Sequence, residues 1–160
     1  MAELTYKPGK LCRLYFDASD APSYSAPTMV EIGYFVEGGI TPNAENEEAH
    51  FKIGRGVIST LVTGFKPQIK GKVHWLKGLT VDIWNILCKR VLQASTLGLP
   101  ILVEACYGDR TVTGNVGLKM RAVHIGGEET WEKNVAADVD FVPSIPDSDG
   151  NLYTFYEVGS

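Results

Sequence analysis

The 160-residue chain lacks several features that would assign it to a specialised class of protein. Its three cysteines, Cys12, Cys88 and Cys106, lie far apart and form no Cys-x-x-Cys pair, which disfavours a disulfide framework or a cysteine-based metal site. No apolar run approaches the length of a membrane span, and the first residues contain no apolar core of signal-peptide length. We therefore expect a soluble protein, made in a reducing compartment and not secreted by a cleaved signal, with buried or unreactive thiols.

Positive charge is scarce as well. The chain has 15 Lys and Arg against 19 Asp and Glu, which gives a formal net charge of −4 at pH 7. A protein that binds nucleic acid usually carries a basic face that replaces the counterions of the phosphates. The acidic balance disfavours such a binder, and it is compatible with a surface that must avoid adhering to nucleic acid.

Residue types that perform catalysis are present but do not form an active-site pattern. The three histidines, His50, His74 and His124, have no ligand partner at metal-binding spacing. Asp138 and Asp140 would project from one strand face like a glycosidase pair, but alternating solvated carboxylates are far commoner. No Gly-x-Ser-x-Gly nucleophile turn occurs. We expect no catalytic residue, no metal site, no cofactor and no enzymatic activity.

The segment Thr80–Ser95 is the one stretch with a clear helical pattern. Thr80 is a suitable N-cap, and Gly98 and Pro100 end the pattern. Residues spaced three and four apart share one apolar face, and this spacing predicts a helix that packs across a sheet. The predicted core face consists of Trp84, Leu87, Cys88 and Val91.

Almost all other segments have the alternation or the β-branched composition of strands. In Gln68–Leu76, Ile69, Val73 and Trp75 fall on one face. Pro100–Tyr107 is apolar almost throughout, as expected for a strand buried on both sides. The remaining short candidates are Lys10–Phe16, Met29–Val36 and Leu152–Tyr156.

The clearest alternation spans 111–142, where the sequence predicts a long hairpin around Gly126 and Gly127. One parity of each strand is apolar and the other is polar, so one face is predicted to lie in the core. The predicted core-facing residues are Val112, Val116, Leu118, Met120, Val135, Ala137, Val139 and Phe141.

The segment Gly38–Gly56 is predicted to be a long loop that reaches out of the subunit and contacts a neighbouring ring of the assembly. It begins with two glycines and separates an acidic cluster from basic residues. Long loops without their own secondary structure are often functional. The candidate contact residues are Glu45, Glu47, Glu48, Lys52 and Arg55. The whole chain, 1–160, is interpreted as one domain, with residues 1–9 as a flexible arm.

Two-faced strands with one helix predict a mainly β fold, an antiparallel β-sandwich or barrel with one flanking α-helix. Such sheets have edges whose free backbone donors and acceptors recruit further strands. In the absence of a recognisable active site, symmetric self-assembly is the hypothesis that this architecture favours.

The order of these elements resembles that of the major tail protein, or tail tube protein, of long-tailed bacteriophages. The similarity lies in the strand ending at Val36–Gly39, the long loop to Ile58, the segment Thr63–Trp75, the single helix and the closing hairpin ending at Val139–Pro143. It extends over about residues 29–156 and rests on element order, without an invariant motif.

The resemblance implies a β-sandwich with one helix that forms homo-hexameric rings, stacked into a tube through which the genome leaves. It further implies a virion protein, assembled in the host cytoplasm, that contacts tape-measure and tail-terminator proteins while DNA passes without specific binding. The family brings no catalytic residues. Lys119 and Arg121 would make the lumen less negative if their strand face points inward.

A second hypothesis is a ligand- or carbohydrate-binding β-sandwich module of a virion or surface protein. Its aromatic platforms would come from tyrosines, although a core or an interface uses the same residues. The candidates are Tyr15, Tyr24, Tyr34, Tyr153 and Tyr156.

Overall fold

The computed structural model describes residues 11–19, 24–41, 44–53, 57–125, 136–146 and 149–159, with only the backbone described for 44–53, 57–65 and 136. Nine strands and one helix occur in these ranges. They are β1 (Cys12–Asp17), β2 (Met29–Thr41), β3 (Ala44–Ile53), β4 (Val57–Phe65), β5 (Gln68–Trp75), α1 (Val81–Thr96), β6 (Ile101–Tyr107), β7 (Val116–His124), β8 (Ala136–Pro143) and β9 (Tyr153–Glu157).

Six antiparallel strands close into a barrel. Their order is β6-β1-β2-β5-β8-β7, and the barrel closes because β6 also pairs with β7. The strand β9 is an additional neighbour of β7, while β3 and β4 form a separate two-stranded sheet. The structure thus confirms the mainly β class with one described helix.

The barrel interior is filled by alternate residues of its strands, as the period-two patterns predict. Phe16, Val103 and Phe141 are fully buried, and Ile69, Val73 and Trp75 of β5 also point into this core. The other face of β6 is buried too, since every residue from Ile101 to Cys106 is buried. The prediction that this strand is covered on both sides is therefore confirmed.

The helix α1 lies across one end of the barrel, between the end of β5 and the start of β6. The Thr80 hydroxyl accepts a hydrogen bond from the Ile83 amide at 3.3 Å, which is the predicted N-cap. Leu87 is fully buried, and Trp84 and Val91 pack against the core while partly exposed. The Trp84 ring meets the Trp75 ring edge-on, with 5.2 Å between the ring centroids.

One member of the predicted core face of α1 is wrong. Cys88 is exposed, and the fully buried helical positions are instead Leu87, Arg90 and Ala94. The buried stripe passes through Leu87 and Ala94, which lie seven residues apart. Cys88 comes one residue after Leu87, so the turn of the helix points its side chain away from the core. Arg90 can be buried because its guanidinium donates hydrogen bonds to the Ser19 carbonyl and, at 3.3 Å, to Gln93 Oε1.

The predicted hairpin is only partly correct. Leu118, Met120, Ala137, Val139 and Phe141 are buried as expected, so the register of both strands is confirmed. However, β7 pairs with β8 over only three residues, from Ala122 to His124, because β7 pairs mainly with β6 and β8 mainly with β5. Val112 lies in a turn, and both it and Val116 are exposed, which contradicts their predicted burial. Val135 lies outside the described residues.

Candidate assembly surfaces

The two carboxylates considered for catalysis belong to cross-strand charge pairs. On the β5–β8 ladder, Asp138 lies opposite Lys72 and Asp140 opposite Lys70, with 3.9 Å between Lys70 Nζ and Asp140 Oδ2. Burial raises the pKa of Asp140, and the Lys70 ammonium partly offsets this rise. Opposite charges facing each other across a ladder favour this register, which gives both aspartates a structural role.

The histidines do not converge on a site. His74 is exposed and lies beside the Tyr34 ring, whereas half-buried His124 meets the Phe141 ring edge-on at 5.2 Å between centroids. His50 lies on β3, where only the backbone is described. Among the residues that the structure describes, no group of three His, Cys, Asp or Glu side chains is placed to hold a metal ion.

The segment predicted as a long loop is a β-ribbon. After Thr41 pairs with Gln68 at the end of the β2–β5 ladder, Ala44 pairs with Phe65 and the β3–β4 ladder continues to Ile53 and Val57. Strands of nine and ten residues give this ribbon a length of about 30 Å. Among the described strands, β3 and β4 pair only with each other. We call Ala44–Phe65 the ribbon.

Glycines with positive φ angles lie near the end of the β2–β5 ladder, shortly before the ribbon. Gly38 and Gly39 have φ angles of 85° and 137°, and Gly71, which pairs with Gly38, has a φ of 152°. A Cβ atom at Gly38 would collide with the Lys70 carbonyl, and one at Gly71 with the Glu37 carbonyl. Only glycine adopts these angles without strain. The prediction that Gly38 and Gly39 let the chain leave the sheet is wrong, because both residues stay paired with β5 and β2 continues to Thr41.

Four of the five predicted contact residues lie on one strand of the ribbon. Glu45, Glu47, Glu48 and Lys52 belong to β3, whose side chains are outside the described residues, and Arg55 is not described. The loop prediction for Gly38–Gly56 is wrong at the level of secondary structure, because β2 extends to Thr41 and β3 follows. The physical reason is cross-strand pairing with β4, whose composition is β-branched and apolar.

An ion pair with a buried carboxylate lies on the outer face of the barrel, and no sequence pattern predicts it. Glu104 is 1% exposed, and one of its oxygens accepts a 3.0 Å bond from Arg110 Nε. The Tyr15 ring lies beneath the Arg110 guanidinium, with 5.8 Å between the ring centroid and Arg110 Cζ. Tyr156 of β9 covers Gly117. Burial is the largest cause that raises the pKa of the Tyr156 hydroxyl, and the Glu104 carboxylate raises it further. The position of Tyr156 beside this ion pair depends on the close cross-strand approach of Gly117 and Tyr156, which are far apart in the sequence.

The tyrosines proposed as a ligand platform are divided between different environments. Tyr15 is buried and Tyr156 covers Gly117, whereas Tyr24 and Tyr153 line a cleft of about 170 Å³ together with Lys119 and Arg121. The Arg121 guanidinium lies 4.0 Å above the Tyr24 ring and covers that face. This volume is below the roughly 300–1,000 Å³ of small-molecule sites.

Exposed apolar side chains concentrate at the two ends of the barrel. The helix end is defined by the pair Ile101–Ala122, and the turn end by the pair Tyr107–Val116, six residues away along β6. The large exposed side chains at the helix end are Val81, Leu92, Leu97, Leu99 and Ile125, and those at the turn end are Leu11, Tyr107, Val112 and Val116. Only Val36, Ile145 and Phe155 complete this set among the described residues.

No protein-family model matches the chain, and no curated protein matches it. The helix in the described part of the chain is too short and too polar to cross a bilayer. The tail tube family that the element order suggests is therefore a proposal.

Proposed function

We propose that this chain is a structural subunit of a phage tail tube, which assembles with copies of itself into stacked hexameric rings. The observation that carries the proposal is the ribbon, an extension of about 30 Å. It pairs with no other described strand of its own chain. The barrel, in contrast, satisfies its own strand edges by closure.

The composition of the ribbon supports contact with another subunit. Two-stranded hairpins are marginally stable in water unless a further strand or a packed face supports them. β4 has apolar residues at odd and even positions, such as Val57, Ile58, Leu61 and Val62, so neither face of the ribbon is wholly polar. A second copy of the chain supplies the missing partner surface.

The proposal assigns the chain a conduit role and no catalysis. A net charge of −4 offers passing DNA few cations to replace its counterions, so the genome moves through without specific binding. The further partners of such a subunit are tape-measure and tail-terminator proteins, and its place is the virion tail after assembly in the host cytoplasm.

The test replaces 44–65 with a four-residue Gly-Ser linker. We expect this variant to fold with an unchanged barrel but to remain monomeric, whereas the wild-type chain forms rings and tubes in negative-stain micrographs and sediments accordingly. The matched control is Val36→Ser, which changes an exposed apolar residue on the barrel wall and should leave tubes intact. Tubes formed by the linker variant would rule out the role of the ribbon.

A second candidate function, a ligand- or carbohydrate-binding module, would use the cleft between Tyr24 and Tyr153, which is smaller than most small-molecule sites. Because Arg121 covers one face of the Tyr24 ring, Tyr153 would supply the stacking surface and Asn151 a hydrogen-bond donor. A wild-type chain that stays monomeric at high concentration and binds glycans on an array, with loss of binding in Tyr153→Ala, would replace the assembly proposal with this one.

A further inference from the structure

The distribution of exposed apolar side chains points to a specific contact between copies. Monomeric proteins rarely expose contiguous large apolar patches, and such patches usually mark interfaces. Here nine of the twelve large exposed side chains in the described ranges lie at two separate places, five at the helix end and four at the turn end. The barrel wall between them carries few.

The helix end presents an apolar stripe on the outer surface of α1. Val81, Cys88 and Leu92 follow one another at spacings of seven and four residues, so they lie on the same side of the helix. Leu92 is 61% exposed and Leu97 66% exposed. This stripe is distinct from the buried one, which passes through Leu87 and Ala94, so α1 has an apolar inner side and a second apolar side that faces out.

The turn end presents a different surface. Residues 108–115 connect β6 to β7, and Val112 in this turn borders a shallow cavity of about 360 Å³ together with Leu11 and Arg13. Val112 is 51% exposed. Tyr107 at the same end accepts a 3.4 Å hydrogen bond from the Ile40 amide, which places the base of the ribbon here too.

These two surfaces lie at opposite ends of the same ladder. The β6–β7 pairs from Ile101 to Tyr107 separate them by about 20 Å. A contact between two unlike surfaces on opposite sides of one subunit is heterologous, and when it does not close into a ring it produces an open filament. Each end also carries charges of both signs, the exposed Asp82 and Lys89 on α1 and the partly exposed, mutually paired Arg13 and Asp109 at the turn.

We propose that the helix end of one copy docks onto the turn end of the next copy, with the outer stripe of α1 covering Val112 and Leu11. The contact stacks subunits along the barrel, and the ribbon leaves from the same turn end toward the neighbour. This inference deepens the proposed assembly and rests on it, because it names the two surfaces that meet when subunits stack.

Cross-linking tests the contact directly, since the helix stripe contains its own thiol. Cys88 is the only exposed cysteine among the described residues, while Cys12 and Cys106 are buried. In the Val112→Cys variant, mild oxidation with copper–phenanthroline should join Cys88 of one copy to the new thiol of the next and produce a ladder of covalent multimers on non-reducing gels. The wild type, with one exposed thiol, can form dimers only.

Two controls accompany this variant. Adding Cys88→Ser to Val112→Cys should abolish the ladder and leave dimers at most, and Val36→Cys, on the barrel wall, should produce no ladder. A ladder in Val36→Cys equal to that in Val112→Cys, or dimers alone in Val112→Cys, would overturn the docking. If tubes still form in that second case, the proposed function stands; if no variant and no wild-type chain assembles, both fail.

A second measurement avoids thiol chemistry. Leu92→Asp disables the helix end and Val112→Asp the turn end; both positions are exposed, so both variants should keep the wild-type melting midpoint. Each variant alone should fail to stack. In an equal mixture, the intact helix end of Val112→Asp can dock onto the intact turn end of Leu92→Asp. Each complex then contains one layer of each variant, so the sedimenting mass should double. An unchanged mass on mixing, or tubes from either variant alone, would overturn the docking.

Discussion

The barrel and the ribbon obtain their stability in different ways. Each barrel strand has hydrogen-bonded neighbours on both sides over at least part of its length, and its inner face is packed with residues such as Phe16 and Phe141. β3 and β4 have only each other among the described strands. A closed barrel removes its own edges, whereas a ribbon retains two.

This difference shows that one chain can contain a self-sufficient part and a part that depends on another molecule. The barrel and α1 should fold in a monomer because their apolar surface is buried within the chain. A two-stranded ribbon without a further strand is marginally stable in water, and ordering its backbone costs about 1–2 kcal/mol per residue. Its order should therefore depend on assembly.

The largest expected effect separates these two regions by paired substitutions of the same type. Phe141→Ala removes a fully buried ring from the barrel and should reduce the free energy of unfolding by about 3–5 kcal/mol. Phe51→Ala in the ribbon should change the monomer's unfolding free energy by less than about 0.5 kcal/mol and weaken assembly instead. Urea unfolding of dilute protein measures both, and equal losses would break the distinction.

The second effect concerns the outer wall of the barrel. Arg110→Ala leaves the Glu104 carboxylate buried without its cation and should cost about 2–3 kcal/mol, at the lower end for a broken buried pair because Arg110 is about one-third exposed. Arg13→Ala breaks exposed contacts to Glu31 and Asp109 and should cost below about 1 kcal/mol. Adding Glu104→Gln to Arg110→Ala should recover part of the loss; no recovery would mean that packing, not charge, explains the first result.

The third effect tests the glycine pair of the β2–β5 ladder, near the base of the ribbon. Gly71→Ala forces a side chain against the Glu37 carbonyl at a positive φ and should cost about 1–3 kcal/mol. Gly78→Ala is the control, because a Cβ there meets nothing within 4 Å and its φ is not in the positive range. Circular dichroism melts give the stability, and tube length in micrographs gives the effect on assembly. Equal melting midpoints and equal tube lengths for the two variants would contradict backbone strain at Gly71.

The smallest effect depends on pH. The folded pKa of Asp140 is raised by burial, so its protonated form stabilises the fold below the unfolded pKa, and this contribution is lost as the pH rises through the folded pKa. Asp140→Asn should therefore gain more stability, relative to wild type, at pH 7 than at pH 3, by under about 1 kcal/mol. Melting midpoints at the two pH values measure the gain, with exposed Asp138→Asn as the control. A larger gain at pH 3 would contradict the assigned cause.

The sequence was sufficient wherever structure depends on local patterns. Thr80 and Gly98 bracket α1 within one or two residues of its observed bounds, and the alternation in Gln68–Leu76 identified the buried face of β5. The same alternation located the core face of β7 and β8. These features depend on residues close in sequence, so a single sequence is enough to find them.

The choice of pairing partner was not visible in the local pattern. Both β6 and β8 follow or precede β7 directly along the chain, and the hairpin interpretation chose β8 although β7 pairs mainly with β6. The acidic sequence of β3 resembles a loop, and only its pairing with β4 makes it a strand. Cys88 was assigned to the core because a small rotation of α1 about its axis changes which stripe faces the barrel. Ala94, seven residues after Leu87, was the signal for the correct stripe.

Hydrogen exchange of the backbone amides tests most directly whether the ribbon depends on a second copy. The account predicts that amides of β6 and β7 are protected both in dilute monomer and in assembled tubes, while amides of β3 and β4 exchange rapidly in the monomer and become protected only on assembly. Protection of the ribbon in the monomer equal to that of β6 would contradict it, because the ribbon would then be stable without a partner.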